Sequence, residues 1–277
     1  MRLLLLTGLF LTAILFPVTA QVKTIAVSPS QTDPQIQSIH GEHTAYIDQA
    51  VPPVNKLLLM IVGTGAAANH NIPFCSFAAS MGYHVVCIDY KNTVITTVCS
   101  NSKDSACFNE FRQEIILGEP ASPLVEVDSA NSIYHRVYAL LLYLSRKFPE
   151  QGWQQYTKGK SIEWPRIIVA GHSQGAGHAA YLGKKFPVDR VLIFAGPQDF
   201  LVQFFQDPFD FKKQLAGCMA LMQSVKADTV FVQPLRPVIG SGHILVTNIE
   251  TTNAHESMMQ PVFEKAWARL LAAHPGQ

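Results

Sequence analysis

The chain has 277 residues, of which 48% are hydrophobic and 15% charged, and it carries a formal charge of +1. That length is ample for one large core and short for two domains with separate machinery. The near-neutral balance gives no argument for nucleic acid or an anionic surface as the principal partner, and none is expected.

Residues 1–20 read as a leader. Arg2 supplies the positive start, LLLLTGLFLTAILF the apolar centre, and Pro17 followed by Val18-Thr19-Ala20 a small-residue cleavage site before Gln21. A signal peptide removed on export is expected. No later run is apolar enough to span a bilayer, so the mature protein is expected to be secreted or periplasmic, without a membrane anchor. The remainder, 21–277, is expected to be one domain.

Residues 22–27 and 38–48 are rich in β-branched residues and alternate, which predicts two antiparallel entry strands. LLLMIV at 57–62 is continuously apolar, as a strand buried on both faces should be. It ends in Gly63-Thr64-Gly65-Ala66. A helix over IPFCSFAASMG then leads to a second buried strand, YHVVCIDY, at 83–90. The polar stretch 91–127 is an excursion with a short helix near FNEFRQEII. Ser129–Phe148 has helical spacing, with Ile133, Val137, Leu140, Leu141 and Leu144 on one stripe.

PRIIVA predicts a strand, the stretch after it a helix, and RVLIFAG at 190–196 another strand. Beyond these, FDFKKQLAGCMALMQSV reads as a helix, TVFV and ILVTNI as strands, and PVFEKAWARLLAA as a closing helix begun by Pro261. Strands alternating with helices predict an α/β fold, a mostly parallel sheet with helices on both faces.

The chemistry concentrates in Gly171-His172-Ser173-Gln174-Gly175. This is a G-x-S-x-G motif placed between a buried strand and a helix, the context in which it forms a nucleophile elbow. A strand that turns at once into a helix strains the serine backbone and crowds the positions two before and two after. Glycines at 171 and 175 have no Cβ to clash. Ser173 is the expected nucleophile, and the Gln174 N–H an oxyanion donor at the helix N-terminus.

On these residues most of the mature chain resembles the α/β-hydrolase superfamily, and in particular its secreted bacterial esterases. The resemblance implies a second oxyanion N–H from the loop after the 57–62 strand, at Thr64 or Gly65. The lipase H-G-G-G is here V-G-T-G. It also implies the order serine, acid, histidine, with the histidine after the last strand. His255, before Pro261 and the closing helix, fits that place; His243 in IGSGH is the alternative, and His274 lies in the tail. For the acid, Asp207 stands before Pro208 and a helix, and Asp199 follows the 190–196 strand; Asp210 and Asp228 stand behind them. His172 is expected to pack beneath the serine, and Asp89 to be structural.

Five cysteines are present. Cys99 and Cys107 flank a polar segment that a disulfide would close in an oxidising compartment, and esterases of the resembled type carry a Cys pair after the fourth strand. Cys75, Cys87 and Cys218 read as buried thiols. There is no C-x-x-C pair and no His/Cys cluster at zinc spacing, so no metal or cofactor is expected. The expected activity is hydrolysis of a small-molecule carboxylic ester; amide cleavage or acyl transfer would use the same groups, and a binding protein on this scaffold would need neither serine nor base.

Overall fold

A computed structural model describes residues 21–199, 201, 253 and 255–272. The expected leader, the helix of FDFKKQLAGCMALMQSV, the strands TVFV and ILVTNI, and Asp207, Asp210, Cys218, Asp228, His243 and His274 lie outside these residues.

The strands are β1 (Lys23–Val27), β2 (His43–Ile47), β3 (Leu57–Ile61), β4 (His84–Cys87), the short β5 (Thr157–Lys158) and β6 (Ser161–Ile162), β7 (Ile167–His172) and β8 (Arg190–Phe194). The helices are α1 (Pro29–Thr32), α2 (Ile72–Ser80), α3 (Cys107–Leu117), α4 (Ile133–Lys147), α5 (Gln174–Lys185) and α6 (Glu264–Ala272). Six strands make one sheet in the order β1-β2-β4-β3-β7-β8, and β5 pairs only with β6. β2 runs antiparallel to both of its neighbours, as the entry strands were expected to do, while β4, β3, β7 and β8 are parallel. This is an α/β architecture with a mostly parallel central sheet.

Every residue of β3 is buried, which is what its unbroken apolar sequence requires when both faces are covered. Trp267 of α6 packs edge-on against Phe74 and Phe77 of α2, with ring centroids 5.5 and 5.6 Å apart. Helices α3, α4 and α5 form a second contiguous group.

Several elements are shorter than their sequence expectation: the 38–48 strand is His43–Ile47, the 190–196 strand ends at Phe194, and the closing helix starts at Glu264, after a 3₁₀ turn over Pro261–Phe263. In two others the cause is visible. β4 stops at Cys87 rather than Tyr90, because the Asp89 N–H turns to the ring Nδ1 of His43 (2.9 Å). α4 starts at Ile133, where the Ser132 hydroxyl accepts the His135 N–H at 3.1 Å and caps the helix. Asp89 is structural: its carboxylate meets the wholly buried Arg136 of α4 at 3.1 Å. That pair fixes the end of β4, from which the chain continues to Asn92.

The strand order reverses between β4-β3 and β3-β7. Beyond the carboxyl ends of β3 and β7, at such a switch point, adjoining loops separate and leave a crevice. Gly63 follows β3 there, and Ser173 follows β7.

Candidate active site

Ser173 stands alone between β7 and α5, at φ 56° and ψ −121°. Such a backbone in a residue with a side chain costs about 1–3 kcal/mol and persists only where its surroundings enforce it. They do so here from both sides. The Ser173 N–H donates to the Phe194 carbonyl of β8 at 2.9 Å, and the Ala176 N–H donates back to the Ser173 carbonyl at 3.0 Å. The crowding expected from the sequence is real: a Cβ on Gly175 would stand 2.1 Å from the Ile61 carbonyl oxygen.

His255 comes to this serine from a segment 82 residues further along the chain, its Nε2 2.9 Å from Ser173 Oγ. Its own N–H is held by Asn253 Oδ1 at 3.1 Å, and its carbonyl accepts from His172 Nε2 at 2.8 Å. His172 is 2% exposed, and burial lowers its pKa, so the ring is neutral at pH 7. The carbonyl partner assigns its proton to Nε2. His172 therefore does more than pack beneath the serine: it anchors the main chain of the histidine above.

Beside His255, the Glu256 carboxylate sits 3.0 Å from His70 Nε2 and 3.9 Å from His172 Nε2. Partial burial works against its charge, but the imidazoles of His70, His172 and His255 hold its carboxyl below the usual range. One ligand atom from each of His172, His255 and Glu256 falls within 4.8 Å of the others. Tetrahedral zinc would draw such donors to about 3.4 Å apart. In the structure the three are tied by the His172 Nε2 bond to the His255 carbonyl, with Glu256 bonded to His70.

The turn after β3 lies against the serine: a Cβ on Gly63 would be 3.0 Å from Ser173 Cβ. Of the two donors expected in this turn, Gly65 is corrected. Its N–H is used by the Asn92 carbonyl at 3.1 Å, because Gly65 adopts φ 69° and turns the amide toward the segment after β4. The N–H groups of Thr64 and Gln174 have no protein acceptor among the described residues. The Gln174 side chain joins them from below, its Oε1 accepting from Thr64 Oγ1 at 2.8 Å and from the Thr96 N–H at 2.9 Å.

Asp199 is also corrected as the acid. Its carboxylate is bound through both oxygens by the Arg112 guanidinium, with Nε to Oδ2 at 2.8 Å, and no hydrogen bond joins it to His255. Arg112 reaches it by lying over α5 at Gly177, where a Cβ would meet the guanidinium at 2.0 Å. Arg112 also faces His178, whose pKa burial and then the guanidinium charge push far down. The other candidate acid, Asp207, and the alternative histidine, His243, fall outside the described residues.

Cys99 and Cys107 form the expected disulfide, joining the turn Thr96–Asn101 to the start of α3, while Cys75 and Cys87 are buried thiols. The Ser173 hydroxyl opens into a cleft of about 580 Å³, lined by the 63–67 turn, His70, Ile95, Gln198, His255 and Glu256 among others. No described helix is long and apolar enough to cross a membrane. Sequence reasoning passed over Asn92, Arg112, His70 and Glu256. The one signal for Asn92 was a polar turn-former just past a buried strand, and its partners lie 26 and 29 residues away. No family model and no curated protein matches the chain.

Proposed function

We propose that the protein is an exported serine hydrolase of the α/β-hydrolase superfamily that cleaves small carboxylic esters. The observation that carries this reading is the 2.9 Å contact between His255 Nε2 and the Oγ of a serine held at positive φ. A core or capping serine has no need of that backbone, and a surface histidine has no need of that partner.

In this mechanism neutral His255 takes the Ser173 proton as Oγ bonds to the ester carbonyl carbon. The carbonyl π pair moves onto oxygen, where the N–H groups of Thr64 and Gln174, which have no protein acceptor among the described residues, stabilise it. The tetrahedral species collapses, the C–O bond to the alcohol breaks, and His255 returns the proton to the departing oxygen. Water, deprotonated by His255, then attacks the acyl-serine and releases the acid with Ser173 restored. Asp207 is the proposed partner of the His255 ring. The disulfide suits an oxidising compartment, in keeping with export.

The test is intact mass after treatment with a fluorophosphonate probe, on wild type, Ser173→Ala and His255→Ala. A single adduct on wild type, absent from the serine variant and slowed about 10³-fold or more in the histidine variant, is expected. Folded wild type that takes no adduct would make the chain a binding protein on a hydrolase scaffold.

A further inference from the structure

We infer that Asn92 is the positioning residue of the oxyanion turn, a role that rests on the hydrolase reading. Asn92 is 4% exposed and sits five residues past β4. Its side-chain Nδ2 donates to the Gly63 carbonyl at 3.0 Å and to the Ala66 carbonyl at 2.8 Å. Its own carbonyl accepts the Gly65 N–H at 3.1 Å. One residue thus takes three of the polar main-chain groups of a four-residue turn.

The consequence lies in what is left over. The Ala66 N–H closes the turn onto the Gly63 carbonyl at 3.3 Å, and Asn92 occupies the Gly65 N–H. Thr64 N–H is then the one main-chain donor of residues 64–66 without a protein acceptor among the described residues. Asn92 also holds both ends of the turn, at Gly63 and Ala66, so the peptide between them cannot rotate freely. Gly63 is the end that touches Ser173. A donor already aimed before charge develops needs no reorganisation at the moment of reaction, and this is where oxyanion stabilisation gains its size.

The bond to the Gly65 N–H is made by the main chain, but the two carbonyl contacts need the side-chain amide. Asp in its place would set a carboxylate oxygen against two carbonyl oxygens; Ala would take the side-chain partner from the part-buried Ala66 carbonyl and leave the Gly63 carbonyl with the Ala66 N–H alone. Neither change replaces Ser173, His255 or any residue that lines the cleft; each acts on the turn through its carbonyls. The cost should therefore fall on the transition state and spare substrate binding.

The experiment compares wild-type mature chain with Asn92→Ala and Asn92→Asp, folding being checked by near-UV circular dichroism. p-Nitrophenyl acetate turnover is measured from pH 6 to 9, together with inhibition by an aryl trifluoromethyl ketone, whose serine adduct carries an oxyanion. Removing one oxyanion donor costs about 10²–10³ in kcat. Misaligning it should lower kcat about 10- to 100-fold, leave KM within about twofold and the pH midpoint unmoved, and weaken the ketone by the same factor as kcat. If neither variant folds, Asn92→Ser, which keeps one donor, is read in the same way. Unchanged kcat, a rise in KM alone, or a lower melting temperature with kcat per folded molecule retained would each overturn the role. Wild type that neither turns over ester nor takes a fluorophosphonate would overturn the hydrolase reading itself, and Asn92's role with it.

Discussion

His172 Nε2 lies 2.8 Å from the main-chain oxygen of His255, while the next residue, Ser173, carries its Oγ 2.9 Å from the His255 ring. Two consecutive residues at the end of β7 thus hold one histidine, the first by its backbone and the second by its imidazole. Since His172 is buried at the end of β7, the sheet shares in placing His255, together with Asn253 of its own segment.

His172→Ala is accordingly expected to lower kcat on a p-nitrophenyl ester about tenfold, the worth of one buried hydrogen bond of about 1.4 kcal/mol. KM should hardly change. His172→Gln, whose Nε2 reaches nearly the same point, should recover most of the loss. Full activity in the alanine variant would mean that other contacts suffice to hold His255.

The strained serine makes a prediction in the opposite direction. At φ 56° and ψ −121° a glycine is relaxed where serine or alanine is not. Ser173→Gly is expected to unfold in urea about 1 kcal/mol later than Ser173→Ala, with both lacking esterase activity. Equal midpoints would indicate that the backbone relaxes once the hydroxyl is gone.

Acid should destabilise the fold in a definite window. Burial lowers the pKa of His43 (to about 3), His84, His172 and His178, so the unfolded chain binds protons that the folded chain refuses. With folded values depressed, the stability these residues contribute is fully present above about pH 6.5 and is lost as pH falls toward the folded values. The carboxylates with lowered pKa, Asp33, Glu114 and Glu256, add their loss only lower down, near pH 4. Melting temperatures at pH 8, 6.5 and 5 should be close for the first pair and clearly lower at pH 5. Constancy from pH 8 to 5 would contradict the burial argument.

The disulfide closes a loop with a sequence separation of 8, for which chain entropy predicts about 2–3 kcal/mol. The double variant Cys99→Ala/Cys107→Ala should lose about that much in urea unfolding. It should also lose activity faster than structure on warming, because the turn released begins at Thr96, whose N–H holds Gln174 Oε1. Parallel loss of both would assign the disulfide a purely global effect.

Much of this arrangement was legible in local sequence. β3 announced itself as an apolar run with no polar break, and the glycines at 171 and 175 marked a tight strand-to-helix turn at Ser173. The pairing of Ser173 with His255 was harder, since two histidines stood at plausible places and no local feature separates them. Asn92 was invisible for a plainer reason. An asparagine after a strand is an ordinary turn residue until the turn it holds is brought beside it. Asp199 looked free in the sequence because Arg112, which takes its carboxylate, lies 87 residues earlier.

What the sequence determined by itself is what depends on neighbours along the chain: the main strands and helices among the described residues, the strained position of one serine, and the closeness of two cysteines. Hydrophobic periodicity and the steric needs of a sharp turn act within a few residues, so they can be read there. Which N–H groups stay unpaired, which carboxylate is neutralised and which histidine reaches Ser173 were decided only by the tertiary structure. Hydrogen bonds and ion pairs act over about 3 Å in space, and the sheet order β4-β3-β7 brings to that distance residues that the chain keeps far apart.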